Sequence, residues 1–318
     1  MPTAHLYLFS DACPSDWLVD GQDDVWHTIV NFVFQLDPQL ASSIEEGKSH
    51  EDLLSLDPLY VQFTSQIQSQ LPSGRFRKWG TGPGYRERFC RAFAAAQPKF
   101  RPLVSACSFQ EKVLRASKTA LLASYNRRIG GIEGQGIGFE ELIDHKGRPQ
   151  MKHSFLNFLN FHGFHQIQGP EHQMLVLLFM AWFVADQYGF YFRDVINSDR
   201  YGFNQLHLTV VSDKLSGDDD FRRKSEQNLR HLIDPENDGA PLALARSRVS
   251  DTFSGDLLVD NLAGWLTAAM NDPCGIFAAY ARDLIPSGVW TGWHHLQPST
   301  SKLEELPAVE RLTSANTA

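Results

Sequence analysis

The chain has 318 residues, 42% hydrophobic and 21% charged, which is ordinary globular usage and excludes a disordered composition. Its 22 phenylalanines and 7 tryptophans call for a packed core, and the length fits one large domain or two modest ones. A formal net charge of −8 excludes a protein that coats nucleic acid through bulk electrostatics, yet leaves room for an acidic metal site beside a separate basic patch.

The N-terminus, Met1-Pro2-Thr3-Ala4-His5, has neither a basic region nor a long apolar run, so no signal peptide is expected. His5 to Ser10 then reads as a short buried strand, stopped by turn residues from Asp11 to Asp16. Trp26 to Leu36 is a second apolar run, strand or helix by periodicity alone. Asp37 to Gln70 reads as helical and polar, with loop chemistry at Asp57-Pro58 and Leu71-Pro72-Ser73-Gly74. Arg101 to Cys107 is a further strand, Gln110 to Arg128 has helical spacing, and Gly130 to Gly138 is a glycine-rich break. Met151 to Phe192 predicts two helices separated at Gly169-Pro170. Its apolar stretch Met174 to Ala185, the longest in the chain, is too short to cross a bilayer and reads as buried helix. Leu206 to Val211 is the clearest strand, followed by an acidic turn at 216–220 and a helix from Phe221 to Ile233. Arg248-Val249-Ser250 is a short edge strand at most, Asp256 to Met270 is a helix, and the tail from Pro298 is expected to fray. Cys13, Cys90, Cys107 and Cys274 are scattered without paired spacing, which predicts reduced thiols and a cytoplasmic protein away from any membrane.

Two strands share one pattern, an apolar run followed by Ser-Asp: Ser10-Asp11 and Ser212-Asp213. The helix from Asp256 adds Asp256 and Asp260, one turn apart on one face. Carboxylates from separated segments are what a pair of Mg²⁺ or Mn²⁺ ions requires, since hard cations take oxygen ligands. The plainer alternative is that each Asp is a turn or cap residue.

With these residues in place, the layout resembles the ribonuclease-H-like (retroviral-integrase-like) superfamily. Within it the chain is similar to a bacterial family of unknown function, which has a first strand ending in Asp-Glu-Ser-Gly and a closing Gln-Leu-Ala-Asp helix. Tyr7 to Cys13 corresponds to the opening strand, Thr209 to Asp213 to the middle strand, and Gly255 to Gly264 to the helix. Asp11, Asp213, Asp260 and the following Leu-Ala-Gly match, whereas Ala12 replaces the family's glutamate, Leu257 its glutamine and Val259 its alanine. The resemblance implies an α/β fold, a ribonuclease-H-like mixed sheet flanked by helices, with helical insertions near 37–100 and 130–200 in a single domain 1–297 and a flexible tail 298–318. It implies a metal-dependent nuclease in which Asp11, Asp213 and Asp260 hold Mg²⁺ or Mn²⁺, with Asp256, Asp16 or Glu171 completing the set. A role in phage defence or a mobile element would follow. The competing class is a non-catalytic binding or scaffold protein of the same fold, which Ala12 favours.

The natural nucleic-acid contact is the basic stretch Arg75 to Arg91, with Arg75, Arg77, Lys78, Arg86, Arg88 and Arg91 against Glu87 alone. Arginine binds phosphate in planar, bidentate geometry, and Trp79 or Tyr85 could stack on a base. A solvated loop with inward-packed aromatics is the equal alternative. Gly80 to Gly84 is followed by no Lys-Ser/Thr, so it is not a nucleotide P-loop, and Gly134 to Gly138 fails the dinucleotide pattern at Phe139. His153, His162, His165 and His172 could bear zinc only if they converged, and their phenylalanine-rich setting favours a structural role. DNA or RNA as substrate, a homo-oligomer and a regulatory protein partner all stay open.

Overall fold

The computed structural model describes residues 3–13, 23–41, 50–100, 103–112, 205–212, 242–246, 254–284, 290–298 and 303–314. The chain divides into two compact units, one of residues 1–3, 112–208 and 214–244, the other of residues 4–111, 209–213 and 245–318. Nearly all described residues belong to the second unit, which is of mixed α/β type. The described helices between residues 37 and 100 supply much of its core.

In chain order the elements are β1 (Thr3–Cys13), β2 (Trp26–Gln35), α1 (Pro38–Ala41), α2 (His50–Leu56), α3 (Pro58–Gln68), α4 (Pro83–Phe100), β3 (Leu103–Gln110), β4 (Gln205–Ser212) and β5 (Leu242–Arg246). There follow α5 (Ser254–Asn271), α6 (Ile276–Leu284), β6 (Trp290–Pro298), β7 (Leu303–Pro307) and α7 (Ala308–Ser314). The strands order as β5-β4-β1-β2-β3-β6-β7. β1, β2 and β3 form an antiparallel meander, β6 joins β3 in parallel, and β7 closes the edge antiparallel to β6.

The ambiguous run at Trp26 is a strand because it is rich in β-branched and aromatic residues and is buried on both faces from Trp26 to Val33. Burial on both faces also explains why its apolar pattern is continuous rather than alternating. One face, carrying Tyr7, Phe9, Val30, Phe32, Val104 and Ala106, forms the main core with α3, α4 and α5. Phe32 stacks on Phe63 of α3, while Phe93 of α4 meets Trp265 of α5 edge-on. α3 starts at Asp57, whose carboxylate accepts from the amides of Leu59 and Tyr60, with Pro58 in the first turn.

The opposite face holds Leu8, Ser10, Ala12, His27, Ile29, Asn31, Ser105, Cys107 and Phe109, also buried. Across it runs the register row Ser10–Asn31–Ser105, whose side-chain polar atoms have no hydrogen-bond partner.

Three expectations are corrected. β1 does not stop at Ser10 but pairs with β2 through Cys13, so Asp11 is a strand residue and not a turn residue. A strand appears at Leu242–Arg246, which the alanine-rich sequence did not suggest. The tail does not fray throughout: 303–314 form β7 and α7, with Ala308 and Leu312 fully buried and Arg311 stacked over Trp26. The readings at 113–128, 130–138, 151–192, 221–233 and 248–250 lie outside the described residues. Among the described residues, all four cysteines are free thiols and no helix is long and apolar enough to cross a membrane.

Candidate functional site

Asp11 lies in β1 opposite Val30, in the row Asp11–Val30–Ala106–Trp293 on the helix-covered face of the sheet. Its side chain is 7% exposed, and its Oδ1 accepts the amide of Ala12 at 2.7 Å. A buried carboxylate needs such donors, because its charged form loses hydration.

α5 runs along β1 on the same face. Its first turn lies at Phe9, where the aromatic ring leaves no room for a Cβ at Gly255. Its later turns are tied by Thr267 Oγ1 donating to Cys13 O at 2.9 Å and by Asn271, which both accepts from Trp26 N (3.0 Å) and donates to Trp26 O (3.2 Å). Phe9, Asp11 and Cys13 alternate onto one face of the strand, so Asp11 sits between the two anchor points of α5. On the other side β4 is hydrogen-bonded to β1. β4 ends at Ser212, immediately before Asp213, which itself lies outside the described residues together with Asp16, Glu171 and the four histidines.

Asp256 and Asp260 are both half-buried on α5. Asp260 has a structural partner: its Oδ2 accepts the backbone amide of Trp79 at 2.8 Å. The next residue, Asn261, is buried and donates from Nδ2 to Arg77 O at 2.7 Å and to Leu257 O in its own helix. The stretch before α4 is therefore fastened to α5. Tyr85 fastens it again, its hydroxyl accepting from Arg77 N at 2.8 Å and donating to Arg77 O at 2.9 Å. Burial raises the Tyr85 pKa, against the lowering effect of its bonds to Arg77 and Asn261, so the phenol is the protonated donor at neutral pH. Gly264 completes the junction, since a side chain there would overlap the Trp79 indole.

The aromatics of the basic stretch consequently point inward. Phe76, Trp79 and Tyr85 are buried, Trp79 being 8% exposed with Phe277 edge-on to it, which corrects the expectation that Trp79 or Tyr85 stacks on a base. Arg86 is also engaged inward, donating from Nε to Trp79 O at 2.7 Å with its guanidinium over the indole ring. Arg75, Arg77, Lys78 and Arg88 are exposed.

Among the described residues, no group of three or more His, Cys, Asp or Glu is close enough to hold a metal ion, so Asp11, Asp256 and Asp260 do not form one by themselves. Comparison with protein-family models, with curated proteins and with solved structures gave no match.

Sequence reasoning missed the fastening residues Asn261 and Tyr85 and a buried pair on the opposite face, His27 Nε2 to Glu111 Oε2 at 2.7 Å. No local spacing signals such a pair, because its members lie on β2 and just after β3. Asn31, an amide between Val30 and Phe32, stands in the sequence as a polar interruption of an apolar run.

Proposed function

We propose that this chain is a divalent-metal-dependent nuclease on a ribonuclease-H-like core, hydrolysing phosphodiester bonds with carboxylates from β1, the end of β4 and α5. One observation carries the reading: β4, which leads directly into Asp213, is hydrogen-bonded beside β1, while α5 runs over the face of β1 that bears Asp11. Three of the segments in which the sequence carries its acidic residues thus adjoin. The strand order gives further support, since an antiparallel β3-β2-β1 meander extended beyond β1 by β4 and β5 is the order of a ribonuclease-H-like core.

The donor chemistry fits Mg²⁺ or Mn²⁺, because Asp11, Asp213 and Asp260 offer only carboxylate oxygen. Asp256, with Asp16 or Glu171, would complete the set. Bound ions would supply an activated water and stabilise the departing oxygen of the phosphodiester. The protein's own contribution is orientation. Asp11 is held on a paired, buried strand with one oxygen fixed by Ala12 N–H, and Asp260 is fixed by Trp79 N–H. Ligands on regular elements lose little conformational freedom when a cation binds.

Ala12, standing where the related family has glutamate, does not weaken this reading. It pairs with Ile29 and projects to the opposite face from Asp11, so a glutamate there would not share Asp11's face. The alternative of a non-catalytic binding or scaffold protein draws on a different observation, that Asp260 already bonds the Trp79 amide.

Calorimetry of Mn²⁺ binding to the native chain and to Asp213→Asn, with cleavage of labelled oligonucleotides under the same conditions, separates the two. The nuclease reading expects metal binding and cleavage that the substitution abolishes. Equal heats in both proteins and no cleavage would leave the scaffold.

A further inference from the structure

Between Leu71 and Arg86 the chain carries Arg75, Arg77, Lys78 and Arg86 and no acidic residue, although the whole protein has a net charge of −8. The next acid, Glu87, is engaged by Arg91 and by the Tyr280 hydroxyl. Local charge here is opposite in sign to the bulk of the molecule.

The backbone beneath these cations is fixed. Arg77 is held through its amide and carbonyl by Tyr85 and through its carbonyl by Asn261, and Trp79 is held by Asp260. Lys78 O accepts from both the amide and the hydroxyl of Thr81. A fixed backbone under exposed arginines reduces the ordering cost of binding a polyanion. With Phe76, Trp79 and Tyr85 turned inward, what remains outward is cationic, and it includes no ring to stack on a base.

We propose that Arg75, Arg77 and Lys78 form a contact for the sugar–phosphate backbone of nucleic acid that is independent of base sequence. The contact deepens the nuclease reading by stating how substrate is held, and it rests on that reading only for the cleavage that would follow. Planar guanidinium forks suit phosphate oxygens, and backbone contacts position a nucleic acid without reading it. An anionic membrane is the less suited polyanion, because the surrounding surface of a protein this acidic would be repelled by it.

The test is fluorescence anisotropy of labelled DNA and RNA oligonucleotides with the full chain in EDTA, titrated at salt from about 50 to 200 mM. The native chain is compared with the triple variant Arg75→Gln, Arg77→Gln, Lys78→Gln. These side chains are exposed, and circular dichroism checks that the fold is kept. The expected result is at least about a tenfold loss of affinity, equal for two unrelated sequences, with the salt slope reduced by about 2–3. Arg77→Lys alone should keep the slope. Unchanged binding in the triple variant, loss confined to one sequence, no binding by the native chain, or capture by phosphatidylserine vesicles in place of oligonucleotides would each overturn the proposal. Cleavage is read separately in Mn²⁺. A native chain that binds through the strip but never cleaves sinks the nuclease reading alone, and one that cleaves while the triple variant binds normally sinks the strip alone.

Discussion

Asp260 has two roles in the arguments above, and a pair of substitutions separates them. Its Oδ2 accepts the Trp79 amide at 2.8 Å, where Trp79 is buried and Asp260 is half-buried. Asp260→Ala removes the acceptor and leaves that amide with no side chain to bond. A hydrogen bond to a charged group is worth about 1.5–3 kcal/mol, and a stranded buried donor costs about the same. A loss of about 2 kcal/mol lowers the Tm of a domain of about 150–250 residues by about 4–8 °C. Asp260→Asn keeps an amide oxygen in the same place and loses only the charge, so its cost should be under about 1 kcal/mol. Thermal unfolding followed by circular dichroism measures both, and Mn²⁺-dependent cleavage is assayed on the same samples. The expected outcome is a near-native Tm for Asp260→Asn with cleavage abolished. An Asn variant as unstable as the Ala variant would refute the neutral-acceptor argument, and an Asn variant with full cleavage would remove Asp260 from the metal ligands.

Two further predictions follow from groups on the sheet. Burial pushes the Tyr7 pKa up to about 12 from an ordinary value of 10, so the folded state favours the protonated phenol. The associated stability, about 2–3 kcal/mol, is fully present below pH 10 and is lost as pH rises from 10 through 12. Urea midpoints should therefore fall over that alkaline window, and Tyr7→Phe should flatten the fall; an unchanged fall in the variant would assign it elsewhere. On the opposite face, His27 and Glu111 are each 1% exposed and 2.7 Å apart. Glu111→Leu alone should cost about 1–3 kcal/mol by removing the carboxylate beside the buried imidazole, while His27→Leu with Glu111→Leu should come within about 1 kcal/mol of the native chain. Additive losses in urea denaturation would show that the two side chains act independently.

Two short strands were legible from local composition, whereas β2, buried on both faces, was ambiguous because its continuous apolar run has no period. Tyr7-Leu8-Phe9 read directly as a strand because burial on both sides leaves an unbroken apolar run, and Leu208-Thr209-Val210-Val211 did so through its β-branched residues. The extent of β1 was not legible, because Ser10-Asp11 is turn chemistry taken locally, and only pairing with Val30 and Asn31 shows that the strand continues. β5 was missed for a related reason, since Leu242-Ala-Leu-Ala-Arg has no β-branched residue and owes its state to the sheet. In the basic stretch the charges were visible but the direction of the aromatics was not. That direction is set from far away in the chain, by Asp260, Asn261 and Gly264 of α5, which no local window contains.

The strongest physical argument that β1 carries a function lies in the cost of Asp11. A carboxylate 7% exposed in a paired strand, with Val30 opposite and Phe9 and Cys13 on the same face, is placed where an apolar residue would stabilise the sheet more. The Ala12 amide offsets part of that cost, as a charge-assisted bond worth about 1.5–3 kcal/mol. A strand that needed only to pack could carry Val or Ile at this position and match its neighbour in β2. Asp260 differs in that its bond reaches a residue far away in the chain, the buried Trp79 amide. Asp11→Asn and Asp11→Val should therefore differ in kind from substitutions at Asp260: both should retain or raise the Tm while removing Mn²⁺ binding. A clear fall in Tm for Asp11→Val would mean that the carboxylate is structural after all, and the nuclease proposal would lose its residue on β1.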